Sequence, residues 1–361
     1  MVERAQFGRF PFGRFFLPGP TEVHPDVLQA MLQPMIPHRG EAMSRLMDAL
    51  QPGLRELFGT GRPVFLAACS ATGLMEAGIR ALPAGGGVLA LVNGAFSERY
   101  ARIAEACGHP VHRLRVEWGK VHDAEDLRNH LAAKGDYAAI TVVHSETSTG
   151  ALQDLAALRS AAGSTPLLVD SVTGFGATPV NFDATGLAYI CTGSQKALAL
   201  PPGLALAVAS EELLALAPER RDRGLYLDLH AFEKQQPPFT PALPQLYALR
   251  VQLERIAREG VAARYERHTA MARRTWEWAA NAGLTVLAPM GARSPSVTCI
   301  RLPEPLTGPE MARRLAERGF VIGTGYGRLK QETFRIGHMG DQNVETLDRL
   351  LEACDAALTS R

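Results

Sequence analysis

Two residue types in two neighbouring stretches have the makings of a reactive site. The first stretch is Tyr189-Ile-Cys-Thr-Gly-Ser-Gln-Lys196-Ala-Leu-Ala-Leu-Pro-Pro-Gly203. It starts apolar and strand-like, turns small and polar, presents one lysine beside Ser194 and Gln195, and closes on Pro-Pro-Gly, which sets a fixed bend. A loop lysine can simply extend its stem into water. Uncharged, it is also a nucleophile and a base, roles that arginine cannot fill near neutral pH. The second stretch, Pro166-Leu-Leu-Val-Asp170-Ser-Val-Thr-Gly174, is a short apolar run ending in an acid. Ligands of open α/β sheets gather at the carboxyl ends of strands. An acid ending one strand and a lysine following the next would share a crevice there.

Other stretches supply groups for the same crevice. Ala68-Cys-Ser70-Ala71-Thr72-Gly73 follows a strand-like run and opens a helical one. Small residues, hydroxyls and an electropositive helix start suit an anion, although a Ser/Thr helix cap uses the same letters. Phe96, in Asn93-Gly-Ala-Phe-Ser-Glu-Arg-Tyr100, is a flat ring that could stack on a heteroaromatic ligand or pack in the core. His144-Ser-Glu-Thr147 ends a further strand; His144 and Glu146 lack a third ligand for a metal and read as structural. Arg335, in Thr333-Phe-Arg-Ile-Gly-His-Met-Gly340, could grip a carboxylate through two parallel hydrogen bonds or stand exposed on a strand. Arg39 could bind a second acidic group or pair at the surface. Gly323-Thr-Gly-Tyr326-Gly327 lacks the GxGxxG spacing and reads as a flexible loop that can fold over a substrate.

The elements that must position these groups follow from the apolar runs. Strands are expected at Val64–Ala67, Gly87–Val92, Val111–Val116, Ala138–Val143, Leu167–Asp170, Ala188–Cys191 and Leu204–Ala209, with helical patterns such as Thr72–Leu82, Ser97–Cys107 and Ala124–Ala133 between them. Short apolar strands alternating with helices predict an α/β fold with a mostly parallel seven-stranded sheet flanked by helices. The last strand follows its predecessor so closely that an antiparallel placement suits it. His24–Leu32 reads as a helix opened by proline. Residues 211–283 read as mostly helical. Leu284–Leu287, Ser296–Arg301, Phe320–Ile322 and Thr333–Ile336 read as strands, and Gly308–Arg318 and Asp341–Ala357 as helices, making a smaller α+β C-terminal domain. The expected divisions are 1–20, an arm; 21–260, a large domain; and 261–361, a small domain starting with a linking helix. The arm carries five phenylalanines in residues 1–16, too much aromatic surface for a free tail, and is expected to lie on the body or on a partner subunit.

Composition narrows the class. The chain has 361 residues, more than one core usually organises, which predicts two lobes. A net charge of +1 without a basic stripe argues against nucleic acid. Five scattered cysteines without a CxxC pair argue against zinc and disulfides and suit a cytoplasmic protein. The N-terminus lacks the apolar core of a signal peptide, and no apolar run of about 18 residues predicts a membrane span.

From Leu17-Pro-Gly-Pro-Thr21 to Phe334-Arg-Ile-Gly337 the sequence resembles the class V aminotransferases, in the branch of alanine–glyoxylate and serine–pyruvate aminotransferases of fold-type I. The resemblance implies pyridoxal 5′-phosphate, with Lys196 forming its Schiff base and Asp170 meeting its pyridine nitrogen. It places Ser70, Ala71, Thr72 and Gln195 at the cofactor phosphate, Phe96 over the ring, Thr147 near the ring hydroxyl and Val172 along the wall. Relatives often carry glycine and histidine after the serine, and tryptophan where Phe96 stands. Arg335, Gly19 and Thr147 fall on the substrate side. Pro237-Pro-Phe-Thr240-Pro resembles the loop by which a neighbouring subunit reaches the phosphate; its usual tyrosine is absent. Thr240 in that role requires a homodimer with shared sites. The implied activity moves an amino group from a small amino acid of alanine, serine or aspartate type to glyoxylate, pyruvate or another 2-oxo acid. The alternatives are a phosphonate- or phosphoserine-type transaminase, a cysteine-desulfurase-like lyase, and a non-catalytic relative.

Overall fold

The computed structural model describes residues 12–217, 220–234 and 237–359. In chain order its strands are β1 (Phe15–Phe16), β2 (Phe65–Ala67), β3 (Val88–Val92), β4 (Val111–Arg115), β5 (Ala139–Val143), β6 (Ser145–Glu146), β7 (Ala151–Leu152), β8 (Leu167–Asp170), β9 (Tyr189–Gly193), β10 (Ala205–Ala209), β11 (Thr285–Val286), β12 (Thr298–Arg301), β13 (Val321–Thr324) and β14 (Thr333–Ile336). Seven of them form the larger sheet, in the order β2-β10-β9-β8-β5-β3-β4. The neighbours from β9 to β4 pair in parallel, and β10 runs antiparallel to both β9 and β2. All seven expected strands lie in this sheet, the last in the expected antiparallel sense.

Strands β3, β5, β8, β9 and β10 are buried along their whole length. Their runs of Val, Leu, Ile and Ala fit a sheet covered on both faces. One face packs on the helices Ala71–Arg80 and Ala95–Ala106, through Leu74, Met75, Ile79 and Tyr100. The other packs on the helices Glu41–Phe58 and Leu243–Glu259, through Leu50, Leu54, Leu246 and Leu249. Edge strand β4 alternates instead, and its Arg113 and Arg115 pair with Glu98 and Glu105. Charges of this kind protect a sheet edge from further pairing.

The helix Glu41–Phe58 is an addition to the sequence reading. Pro52 stands inside it, and an internal proline is a helix-breaking signal. Met43, Leu46, Met47, Leu50, Leu54 and Leu57 nevertheless recur at helical spacing and are all buried. That burial offsets the one backbone hydrogen bond that proline removes.

The smaller sheet has the order β1-β13-β14-β12-β11. Helices Val261–Asn281, Gly308–Glu317 and Val344–Thr359 supply its core with Met271, Met311, Leu347 and Leu350, against Ile300 and Phe334 of the strands. Part of the expected arm is a strand here: β1 pairs in parallel with β13, and Gly337 N–H donates to the Phe16 carbonyl at 2.8 Å. A side chain at Gly337 would bring its Cβ within 2.2 Å of the Leu17 carbonyl oxygen, so only glycine lets the N-terminal segment lie this close. The part of the arm before Phe12 lies outside the described residues. The sequence reading ended the strand at Ile322 and gave Gly323 and Thr324 to a loop. They belong to β13, because Gly323 and Thr324 pair with Arg335 and Phe334.

Candidate active site

Because β10 alone is reversed in the larger sheet, β2, β3, β5, β8 and β9 all end at the same edge. A cavity of about 360 Å³ opens there. Gly19 and Pro20 close one side. Ser70, Ala71, Thr72 and Met75 come from the start of the helix after β2, and Phe96 and Arg99 from the helix after β3. Thr147 follows β5, Asp170 ends β8 with Val172 and Thr173 just after it, and Gln195 and Lys196 follow β9. Three larger cavities, of about 620, 570 and 410 Å³, lie elsewhere and contain no lysine.

Lys196 is 7% exposed and donates a hydrogen bond to the Pro18 carbonyl. Burial, aided by the Arg335 charge, lowers its amine to about 7, against an opposing pull from Asp170. A large share of the amine is therefore uncharged at neutral pH. Gly19 makes room for it: a Cβ there would stand 2.4 Å from Lys196 Cδ, and the backbone has φ +98°. The loop after the lysine is anchored by Thr21, whose hydroxyl donates to the Lys196 carbonyl at 3.0 Å.

Asp170 ends β8 and is 4% exposed. Burial raises its carboxyl to about 6, although the Val172 N–H at 2.8 Å and the charges of Lys196 and Arg99 favour the ionised form. Asp170 stands opposite Cys191 in the parallel pair β8–β9. Lys196 follows Cys191 by one short turn, which is how register brings acid and amine into one cavity. Next to Asp170, Ser171 receives the ring of His144, with Nδ1 at 3.0 Å from its hydroxyl. Burial lowers His144 to about 4, so that ring is neutral.

The helix Ala71–Arg80 begins with its first amides facing the cavity. Ser70 is the residue before the first turn, and its hydroxyl makes no capping bond. The ordinary cap suggested by the sequence is therefore not formed, and the amides and hydroxyls of Ser70 and Thr72 remain for an anion.

Glu146 is fully buried and structural. It accepts hydrogen bonds from Phe96 N–H at 3.1 Å, Ser97 N–H at 2.9 Å, and the hydroxyls of Ser97 and Ser148 at 3.0 and 2.6 Å. It thus caps the helix Ala95–Ala106, whose own preceding residue is Gly94, and fixes Phe96 at the mouth. Among the described residues no cluster of His, Cys, Asp and Glu could hold a metal ion.

Arg335 stands behind the Thr147 wall. Its Nη1 donates to the Thr147 carbonyl and its Nε to the Thr324 carbonyl, both at 2.9 Å. The Thr147 hydroxyl pairs with that of Thr173. Burial lowers the Arg335 guanidinium from its usual range. The structure does not bring Thr240 to this cavity within one chain: with Pro237, Pro238 and Tyr226 it lines a small separate pocket beside β2. Nor does it bring Arg39 there. Arg39 donates to the carbonyls of Pro237 and Pro238, at 2.5 and 2.9 Å, and so pins the loop that carries Thr240. Arg99, Met75, Thr173 and Ser145 line the cavity without having been singled out in the sequence. For Arg99 a signal existed, because it follows Phe96 by three residues on a helix and so shares its face.

A buried lysine and a buried aspartate, their amine and carboxyl shifted in opposite directions, thus share one cavity at the carboxyl edge of a mostly parallel sheet. The class-V aminotransferase family model matches residues 15–330, and the chain belongs to that family. It is a transaminase. It is 37% identical over 334 residues to an uncharacterized aminotransferase of Methanocaldococcus jannaschii, covering 90% of this chain and 87% of that one. It is 33% identical over 351 residues to a serine–glyoxylate aminotransferase of Methylorubrum extorquens, covering 92% and 87%. Among solved structures, an alanine–glyoxylate aminotransferase from Nostoc sp. superposes with a TM-score of 0.91 at 32% identity, covering 99% of this chain and 98% of that one. Among the described residues no helix is long and apolar enough to cross a membrane.

Proposed function

We propose that the protein is a homodimeric, pyridoxal 5′-phosphate-dependent aminotransferase that moves an amino group from a small amino acid to glyoxylate, pyruvate or another 2-oxo acid. The observation that carries the reading is Lys196 and Asp170 facing one cavity with their ionisation shifted in opposite directions. The donor set fits the cofactor: an open helix start for a phosphate, an aromatic face at Phe96, a carboxylate for a ring nitrogen and an amine for an aldehyde. The family and the similar glyoxylate aminotransferases support the same reading.

When bound, the cofactor supplies an electron sink that lets the substrate Cα–H bond break and carries nitrogen between two carbon skeletons. The chain's own residues do the rest. Ser70, Ala71, Thr72 and Gln195 hold the phosphate, with Thr240 of a second copy reaching the same group. Phe96 covers one ring face, Val172 lines the wall, and Thr147 lies near the ring hydroxyl. The Asp170 carboxylate holds a proton on the ring nitrogen. Lys196 Nζ would hold the cofactor's aldehyde carbon and, when free, would take the proton from substrate Cα. Arg335 orients the substrate carboxylate beside Gly19 and Thr147. Over one cycle an amino acid and a 2-oxo acid become the other 2-oxo acid and the other amino acid, so atoms and electrons balance without an external oxidant.

The larger sheet with residues 21–260 and the smaller with 261–361 make the two domains of this enzyme, and residues 1–20 its arm. Cys299 and Cys354 are 0% exposed, which removes the mobile thiol that a desulfurase needs in the small-domain region. The five unpaired thiols support a cytoplasmic enzyme.

The test is a half-reaction. An amino donor alone should bleach the visible band of the bound cofactor, and a 2-oxo acid should restore it. Lys196→Ala should abolish the band's ordinary form and lower kcat at least about 10³-fold. An unchanged spectrum in Lys196→Ala overturns the reading.

A further inference from the structure

Two guanidinium groups, one lining the cavity and one behind its Thr147 wall, form no ion pair with a carboxylate among the described residues. One is Arg335. The other is Arg99, which lines the cavity directly and is near enough to Asp170 and Lys196 to influence both charges. Among the described residues its hydrogen bond goes from Nη2 to the Tyr326 hydroxyl, at 3.2 Å. The arginines around it differ: Arg102, Arg113 and Arg115 all pair with Glu98 or Glu105.

Arg99 is also held in place. Its Cζ lies 4.7 Å from the centre of the Phe96 ring, and Phe96 in turn lies 5.2 Å from the Tyr326 ring. Stacking occupies the face of a guanidinium and leaves its in-plane donors for an anion. Tyr326 has Arg99 at its hydroxyl and Arg335 Cζ at 5.6 Å from its ring. The two cations therefore lie against one tyrosine. A substrate with a single carboxylate satisfies one of them. Arg99, on the cavity wall itself, is then left for a second anion on the same substrate.

We infer that Arg99 is a specificity-determining residue and that the enzyme prefers dicarboxylic amino acids and 2-oxo acids, with one carboxylate at Arg335 and the distal one at Arg99. This inference rests on the aminotransferase reading and narrows its substrate class. Arg39, which the sequence offers either for a second acidic group or for a surface pair, is engaged with the Pro237 and Pro238 carbonyls. Arg99 is exposed on its helix, so replacing it leaves the core intact.

The experiment compares the holoenzyme and its Arg99→Gln and Arg99→Lys variants. Half-reaction rates are measured with aspartate, glutamate, alanine, serine and phosphoserine, and succinate and propionate binding by calorimetry. The expected result is an aspartate or glutamate preference over alanine that falls at least about tenfold in Arg99→Gln, in line with a lost charge-assisted hydrogen bond, and is partly kept in Arg99→Lys. Succinate affinity should fall with it, and propionate affinity should not. Faster reaction with alanine, serine or phosphoserine than with either dicarboxylic acid overturns the inference while leaving the aminotransferase reading standing. So does a succinate affinity that Arg99→Gln leaves unchanged. If no amino acid gives a half-reaction, the aminotransferase reading falls, and succinate binding still decides for or against Arg99.

Discussion

Burial moves the two ionisable groups of the cavity towards each other, Lys196 down from 10.5 to about 7 and Asp170 up from 3.8 to about 6. For Lys196, the unfolded chain keeps its proton up to about 10.5 while the folded chain loses it near 7. Between those values the unfolded state binds more protons, so stability rises with pH. For Asp170 the folded state keeps a proton between 3.8 and about 6 that the unfolded state has lost, so stability falls as pH rises through that window. The pair thus penalises the cofactor-free fold most between pH 6 and 7. Cofactor-free protein is expected to gain unfolding free energy, on the order of a few kcal/mol, from pH 7 to about pH 10. Lys196→Met should lack that gain. Parallel pH profiles of the two proteins in denaturant titrations would refute the account. Both residues were legible in the sequence, because an acid at one strand end and a lysine past the next is a pattern of letters. The shift was not legible, since it depends on burial and on Arg335, more than 130 positions away in the chain.

At the scale of elements, the strand ends do the positioning, and one helix start shows how. The helix Ala95–Ala106 follows Gly94, which has no side chain with which to cap it. Glu146, beyond β5, provides the cap, and its carboxylate also joins Ser97 and Ser148. Glu146→Ala would take the acceptor from the Phe96 and Ser97 amides and the Ser148 hydroxyl and should cost about 2–3 kcal/mol of stability. Glu146→Gln, which keeps an acceptor, should recover part of the loss. Chemical denaturation of the three proteins measures it, and a loss below about 0.5 kcal/mol would refute the cap. The sequence marked Glu146 as structural for want of a third metal ligand, but its Ser97 and Phe96 partners lie 49 and 50 residues away and could not be named. The same limit hid the use of Gly323 and Thr324 as strand, because pairing with β14 rather than local propensity decides it. The helix Glu41–Phe58 was hidden by a different cause: its apolar spacing is plain, but Pro52 reads locally as a stop.

The whole molecule must hold two sheets in fixed relation across the lysine. Thr240 sits apart from its own chain's cavity, with its loop pinned by Arg39. If a second copy receives it, Thr240→Ala should weaken cofactor retention about tenfold without changing the monomer's fold. Equilibrium dialysis of pyridoxal phosphate measures that, and unchanged retention would remove Thr240 from the site. The join between the sheets is a buried charge cluster that no sequence pattern announced, because its members come from three separate elements. Arg264, on the helix Val261–Asn281, is 1% exposed. It donates to Asp341 at 3.1 Å, to Glu259 at 2.9 Å and to the Ala197 carbonyl at 2.6 Å, one residue past Lys196. Gln252 and Arg255, on the helix Leu243–Glu259, reach the same aspartate. Burial alone would raise the Asp341 carboxyl, but Arg264, Gln252 and Arg255 outweigh it and hold it below its ordinary range. A carboxyl lowered on folding adds stability above its unfolded value and loses it as pH falls through the folded one. Breaking such a buried pair from one side typically costs about 3–5 kcal/mol. Asp341→Asn should therefore destabilise the protein at pH 7, with the difference from wild type shrinking once pH falls below 3.8. Arg264→Met should cost as much alone, and the double variant should cost clearly less than the sum, since the second change removes a charge already stranded. Additive losses in that cycle would mean that the aspartate and the arginine stabilise the molecule independently, and that the lysine loop is held to the small sheet by something other than this pair.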